Sequence, residues 1–190
     1  MIYFSLIVFA SALICLYVYH INHQSWMLSM YVTLLTTFYH FAMRLIVGEA
    51  VTVIYKNREF NANSFGFRIH SCEHKIYKLL HVKRWKSKVI TAKPEQFDFK
   101  KIGPMEVLHN MLQAELVHRI IMVLSFLPLV LIIPYGVLGV FISTSVVACL
   151  FDLTFVIIQR YNRPRIMKLL QHYEKLQILP EDRKSPGLSR

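Results

Sequence analysis

Apolar positions along this chain fall into four long runs separated by polar stretches. Residues 2–19 carry no charge. Residues 27–48 are apolar apart from His40, Arg44 and scattered serines and threonines. Residues 120–135 and 137–158 form two further runs, broken at Pro134-Tyr135-Gly136. A helix needs about 20 apolar residues to cross a bilayer, and the first, second and fourth runs meet or approach that length. The third has only 14 residues from Ile120 to Ile133, with Pro128 inside. It reaches spanning length only if its helix starts near Leu116; a re-entrant hairpin over 120–158 is the alternative.

The polar stretch between runs two and three has its own pattern. Asn57 to Gly66 reads as turn. Residues 68–90 read as interfacial helices, with Ile69, Cys72, Ile76, Leu79, Leu80 and Val82 on an apolar side and Trp85 at headgroup level. Residues 91–104 read as a loop closed by Gly103-Pro104, with helix resuming at Met105. After Pro180 the polar tail reads as disordered. The expected organisation is therefore one membrane domain over residues 1–178. Its spans lie at about 2–19, 27–48, 116–135 and 137–158, with an insert at 49–115 and a disordered tail at 179–190.

Charge orients this arrangement. Of 22 Lys and Arg residues, 12 lie in 49–118 and 8 in 159–190; Arg44 and Arg119 sit at span ends, and none falls in 20–26 or 134–136. Positive charge stays on the cytosolic side. The expected fold is an all-α integral membrane protein with about four transmembrane helices. Both termini and a basic helical insert between spans 2 and 3 face the cytosol. The expected location is a membrane, with the site facing the cytosol.

Composition removes several classes. The net charge of +11 flanks spans, so anionic lipid headgroups account for it and nucleic acid is not an expected partner. The first run lacks a basic n-region and stays apolar to Tyr17, which reads as a span rather than a cleaved signal despite Ala10-Ser11-Ala12. Three cysteines, Cys15, Cys72 and Cys149, form neither a disulfide framework nor a metal spacing.

Ionisable residues inside apolar runs are functional candidates. His40 and Arg44 share a helix face, extended by Ser29, Thr33 and Thr36. Ser145, Asp152 and Gln159 are seven apart each and share another face. Asp152 needs a partner, with Arg44 or Arg119 available. Glu115 and His118, three apart, suggest a carboxylate orienting an imidazole base. Glu-x-x-His occurs twice, at Glu106/His109 and Glu115/His118. The copies are nine residues apart on one expected helix and point opposite ways, which argues against a dimetal site. Walker loops, Gly-x-Ser-x-Gly and the His-x4-Asp pair of glycerolipid acyltransferases are absent. These candidates all lie near one leaflet, so four spans could gather them into a pocket with a cationic rim. Pro164 is expected to end the last helix and splay Arg163 and Arg165 into an anion-binding terminus.

Three stretches, KIYKLLHVKRWKSK (75–88), AELVH (114–118) and FVIIQRYNRPRI (155–166), resemble the glycosyl-4,4'-diaponeurosporenoate acyltransferase family of bacterial membrane proteins. The resemblance covers roughly 67–168, and the last block is its most specific part. It implies transfer of a fatty acyl group to a glucose hydroxyl of a glycosylated carotenoid, in pigment assembly of the staphyloxanthin type. Glu115 and His118 match the family's Glu-x-x-His. Gln159, Arg160, Asn162, Arg163 and Arg165 match its tail block, and Lys83, Arg84, Trp85 and Lys86 its basic Trp motif. Departures from the family pattern include Cys72, Gln113, Arg119 and Asp152-Leu153-Thr154.

Two functions are expected to compete. In the first, an O-acyltransferase uses His118, oriented by Glu115, as base. Arg160, Arg163 and Arg165 hold the donor's phosphates, and Asn162 or Arg119 serves the oxyanion. His40, Arg44, Asp152 and Gln159 complete the pocket. The donor is an acyl-CoA or acyl-carrier co-substrate; no cofactor or metal is bound. The acceptor is a lipid-like glycosylated molecule. Partners are membrane lipids, with a homo-oligomer or association with pathway enzymes left open. In the second, a non-catalytic membrane protein binds lipid or a partner through its Arg-rich helix terminus.

Overall fold

The structure, a computed structural model, describes residues 2–55, 60–62, 64–89 and 94–178. Described residues are helical or irregular, with no strand among them. The elements are α1 (Ile2–Asn22), α2 (Ser25–Tyr55), α3 (Ser71–Leu79), α4 (Val82–Trp85), α5 (Phe99–Ile102), α6 (Pro104–Leu124), α7 (Ile132–Tyr135) and α8 (Leu138–Ile178). Four stretches are long and apolar enough to cross a membrane: Ile2–Asn22, Ser25–Tyr55, Pro104–Tyr135 and Leu138–Tyr173. The third reaches that length because its helix starts at Pro104. The expected tail at 179–190 lies outside the described residues.

Two compact units divide the chain: Met1–Arg58 with Leu116–Val156, and Glu59–Glu115 with Ile157–Arg190. Helices α6 and α8 each give a stretch to both.

In the first unit α1 and α2 form an antiparallel hairpin. Phe4 meets Phe41 with ring centroids 5.0 Å apart, and Phe9 meets Phe38 at 4.7 Å. The turn between them places His23 at φ 49°, a left-handed conformation in which His is enriched among non-glycine residues. Met43, Val47 and Val51, one turn apart each, pack with Ile121, and Leu116, Val117, Ile120 and Leu124 surround them. The Tyr39 hydroxyl donates to the Leu124 carbonyl at 2.8 Å, satisfying one of the carbonyls that a helix end leaves open. Helix α6 stops there, ahead of a 3-10 turn at Leu127–Leu131 that contains Pro128. Gly136, at φ 66°, then closes α7 by donating to the Ile132 carbonyl at 2.8 Å, the left-handed cap that glycine adopts without steric cost.

Most of α1 remains exposed: Tyr3, Ile7, Ile14 and Tyr17 are all more than 60% accessible. A helix this apolar and this uncovered is matched to lipid rather than water.

The second unit packs α3 and α4 with the first part of α6 and the last part of α8. Tyr77, Val82, Val107, Leu108, Met111 and Leu112 are buried there. The apolar side expected over 68–90 divides: Val82 turns inward, while Ile76, Leu79 and Leu80 are exposed.

Two expectations are overturned. The stretch read as a loop over 91–104 contains a 3-10 turn at Pro94–Phe97 and the helix α5, and Pro164 does not end the helix; α8 continues through it to Ile178. An internal proline removes one backbone donor and costs about 3 kcal/mol. Arg160 and Arg163, just before it, are held by ion pairs described below.

Candidate functional site

In the first unit the site is built from α2, α6 and α8. Helix α8 buries Phe141, Ser145, Ala148, Asp152 and Val156, spaced by four, three, four and four residues along one stripe. Asp152 is fully buried. Its Oδ2 accepts from the Arg44 guanidinium, and its Oδ1 lies 2.8 Å from His118 Nδ1. Arg44 also donates to the His40 carbonyl at 2.8 Å. The His118 ring stacks on Phe155, with centroids 4.6 Å apart and planes 6° from parallel. Asp152 and Phe155, three apart on α8, therefore grip one imidazole by its edge and its face. The Arg44 guanidinium lies 5.5 Å from the Phe151 ring centroid.

This arrangement has a chemical consequence. With Nδ1–H donated to a carboxylate, the lone pair of a neutral imidazole sits on Nε2. The His118 side chain is 22% exposed. An aspartate that fixes the tautomer and stabilises the imidazolium is the device of a general base. Arg44 holds the aspartate in turn.

The sequence assigned the orienting carboxylate to Glu115. Asp152, 34 residues away, is the carboxylate on His118 Nδ1. The aspartate's expected pairing with Arg44 is present. His40 is also buried, edge-on to Tyr39 at 5.4 Å, with no hydrogen-bond partner for either ring nitrogen among the described residues. The threonines of its stripe bond back to their own helix: Thr33 to Ser29 at 2.7 Å and Thr36 to Val32 at 2.8 Å. Arg119 is half-buried.

The second unit holds a separate charged cluster. Arg160 donates through Nε to Glu73 at 2.8 Å, through Nη1 to Glu115 at 2.7 Å, and through Nη2 to the Arg68 carbonyl at 2.8 Å. Arg163 is fully buried; it pairs with Glu115, donates to the Phe67 carbonyl, and lies 5.8 Å from the Phe67 ring centroid. Tyr77 donates to Glu73. Burial alone pushes the Glu73 carboxyl up, but hydrogen bonds from Arg160, the His70 amide and Tyr77, together with the Arg160 charge, hold it at about 2. Burial, and then its bond to Glu73, raises the Tyr77 phenol above its ordinary value.

The tail block therefore divides by orientation. Arg160 and Arg163 turn inward to carboxylates and carbonyls, and Gln159 is buried with them. Asn162 accepts from Lys86 Nζ at 2.7 Å. Arg165 is exposed, its guanidinium 5.1 Å from the Tyr161 ring centroid; Lys86 Nζ lies 4.8 Å from the same ring. Burial, and then the Arg165 and Lys83 charges, lower the Lys86 ammonium below its ordinary value. In the basic Trp motif, Trp85 Nε1 donates to the Leu80 carbonyl at 2.9 Å, while Lys83 and Arg84 are exposed and line a pocket.

Sequence reasoning gave no role to Glu73, Tyr77, Phe155 or Lys168. The spacing Glu73-x-x-x-Tyr77 was the available signal for the first two, since residues four apart meet on a helix. Nothing local marked Phe155 as the floor of the histidine. Both Glu-x-x-His copies lie on α6 as expected, and among the described residues no three His, Cys, Asp or Glu side chains converge into a group that could hold a metal ion.

Comparison with known proteins adds one match. A family model described as glycosyl-4,4'-diaponeurosporenoate acyltransferase matches residues 53–172, more than half of the chain. No curated protein and no solved structure matches.

Proposed function

Because the chain belongs to the glycosyl-4,4'-diaponeurosporenoate acyltransferase family, we propose that it is a membrane O-acyltransferase. It moves a fatty acyl group from a thioester onto a sugar hydroxyl of a glycosylated carotenoid or similar glycolipid. The carrying observation is the buried Asp152 on His118 Nδ1, with Arg44 behind it.

In this reading His118 Nε2 takes the hydroxyl proton as the sugar oxygen attacks the thioester carbonyl. The new C–O bond forms, the C–S bond breaks, and the imidazolium returns the proton to the departing sulfur. Asp152 takes the orienting part that the sequence suggested for Glu115, and Arg44 pairs with it from behind. Glu115 instead holds Arg160 and Arg163 in place.

The basic insert over 49–115 and both termini belong on the cytosolic side, where positive charge is retained. The acyl chain and the acceptor's apolar part lie in the bilayer. A bacterial inner membrane is the expected setting.

The test is mass spectrometry of lipid and pigment extracts. Cells expressing wild-type protein or His118→Ala would be supplied with a glycosylated carotenoid or, separately, left with only their own glycolipids. A product heavier by one acyl group that requires His118 supports the reading and identifies the acceptor. No acylated product from folded wild-type protein in either condition would defeat it. That result would favour a lipid- or partner-binding protein, a role suited to the exposed cations beside Ile76, Leu79 and Leu80.

A further inference from the structure

Two pockets of the second unit share His74, Tyr77 and Tyr161 as a common wall. One, of about 220 Å³, is completed by Arg160, Arg165 and Lys168 with Pro164 and Ile69. The other, of about 340 Å³, is completed by Lys78, His81, Lys83 and Arg84. None of these linings contains a carboxylate. Arg160 is committed to Glu73 and Glu115. Lys78, Lys83, Arg84, Arg165 and Lys168 form no ion pair among the described residues.

We propose that these pockets seat the head group of the acyl donor, and that this head group is the 3'-phosphorylated adenosine diphosphate of a coenzyme A thioester. The assignment rests on the acyltransferase reading above and names its donor.

Charge matching carries the argument. A membrane phospholipid offers one phosphodiester to a site with five cations in two lobes that have no ion-pair partner among the described residues. A phosphomonoester carries roughly −1.5 to −2 at neutral pH, and a diphosphate adds about two more charges. The coenzyme thus places two separate anionic groups on one small molecule, one for each cationic lobe. Arg165 and Lys83 crowd Lys86 electrostatically, so like charges stand together here that bound phosphates would neutralise.

The wall is suited to the rest of the head group. Tyr77 and Tyr161 meet edge to face at 5.9 Å. Tyr77 is nearly buried and tethered to Glu73, which makes that wall rigid. The exposed His74 and His81 offer imidazole faces on which a purine can stack. The larger lobe falls within the range of small-molecule sites, about 300–1,000 Å³. A carrier protein would instead present an acidic surface, which needs a broad cationic face rather than two recesses.

The test is calorimetric binding to the purified full-length protein in detergent, without acceptor or acyl group, so that it does not depend on turnover. The probes are coenzyme A, 3'-dephospho-coenzyme A and vesicles of phosphatidylglycerol. Coenzyme A should bind, and loss of the 3'-phosphate should weaken binding about tenfold or more. Lys83→Ala with Arg84→Ala should remove that discrimination, whereas Lys83→Arg with Arg84→Lys should keep it. Equal binding of the two nucleotides, or binding to vesicles without binding to coenzyme A, would overturn the assignment. Transfer from a carrier-bound acyl group by protein that does not bind coenzyme A would overturn it while leaving the acyltransferase intact. Nucleotide binding with the expected discrimination upholds this site even if extracts show no acylated product, a result that would count against the transfer reaction alone.

Discussion

Asp152 joins His118 to Arg44, taking the imidazole on one carboxylate oxygen and the guanidinium on the other. One buried side chain thereby ties together three helices of the first unit. It also sets the tautomer of the histidine that the proposed chemistry uses.

His118 is the clearest point of test. Replacing a general base costs typically 10²–10⁴-fold in rate, so His118→Ala should lose turnover by that factor. It should also cost stability, because the buried Asp152 carboxylate loses one of its two partners, about 1–3 kcal/mol, and the Phe155 stack contributes about 1 kcal/mol more. Turnover and melting temperature measured on one preparation check both parts. Wild-type turnover in a folded His118→Ala protein would remove His118 from the mechanism.

Asp152 separates stability from activity. Breaking a buried ion pair by removing one partner costs about 3–5 kcal/mol, whereas replacing both partners with apolar residues is often neutral. Asp152→Leu alone should lower the melting temperature strongly. Adding Arg44→Met should restore most of it, while turnover stays low because His118 has lost its orienting carboxylate. If the restored double variant regained activity, Asp152 would be no more than a structural anchor.

Glu115 gives the opposite prediction. Glu115→Ala leaves Arg160 and Arg163 without their shared carboxylate in a buried setting, so about 3–5 kcal/mol of stability should go. Protein abundance in membranes should fall, since losses of 1–2 kcal/mol already change steady-state levels severalfold. Activity should fall in step with abundance. A Glu115→Ala protein that accumulates and melts normally yet is inactive would return the catalytic role to Glu115.

Glu73 sets an acid limit. Its folded-state carboxyl is depressed from the ordinary 4.5 to about 2. A depressed carboxylate contributes stability that is fully present above its unfolded value and is lost as pH falls through the folded one. The second unit should therefore weaken between about pH 4.5 and 2. Glu73→Gln should be less stable at neutral pH and show a flatter response across that window. Amide exchange in α3 as a function of pH reads this directly; identical pH dependence in the two proteins would contradict it.

The apolar runs made the four long helices legible, because about 20 apolar residues in sequence leave few alternatives. Helix ends were less legible. Helix α2 runs past Gly48 to Tyr55, and α8 runs past Pro164 to Ile178, since tertiary contacts carry a helix beyond its apolar stretch and through a proline. Asp152 announced its need for a cation, and Arg44 was on hand with a compatible depth. Its hold on His118 was hidden, because Glu115 is the visible neighbour at helical spacing while Asp152 is on another helix. The arginine block misled for the same reason: Glu73 and Glu115 lie 87 and 45 residues from Arg160, and no local pattern shows that Arg160 and Arg163 face inward while Arg165 faces out.

That same separation gives the second unit an order of assembly. Glu73 and Glu115 leave the ribosome well before Arg160 and Arg163 exist. The guanidiniums that hold these carboxylates in the finished fold arrive only with the last helix. This unit therefore locks only once α8 has been made through Arg163. A chain stopped short of Arg160 lacks the guanidinium that bridges Glu73 and Glu115.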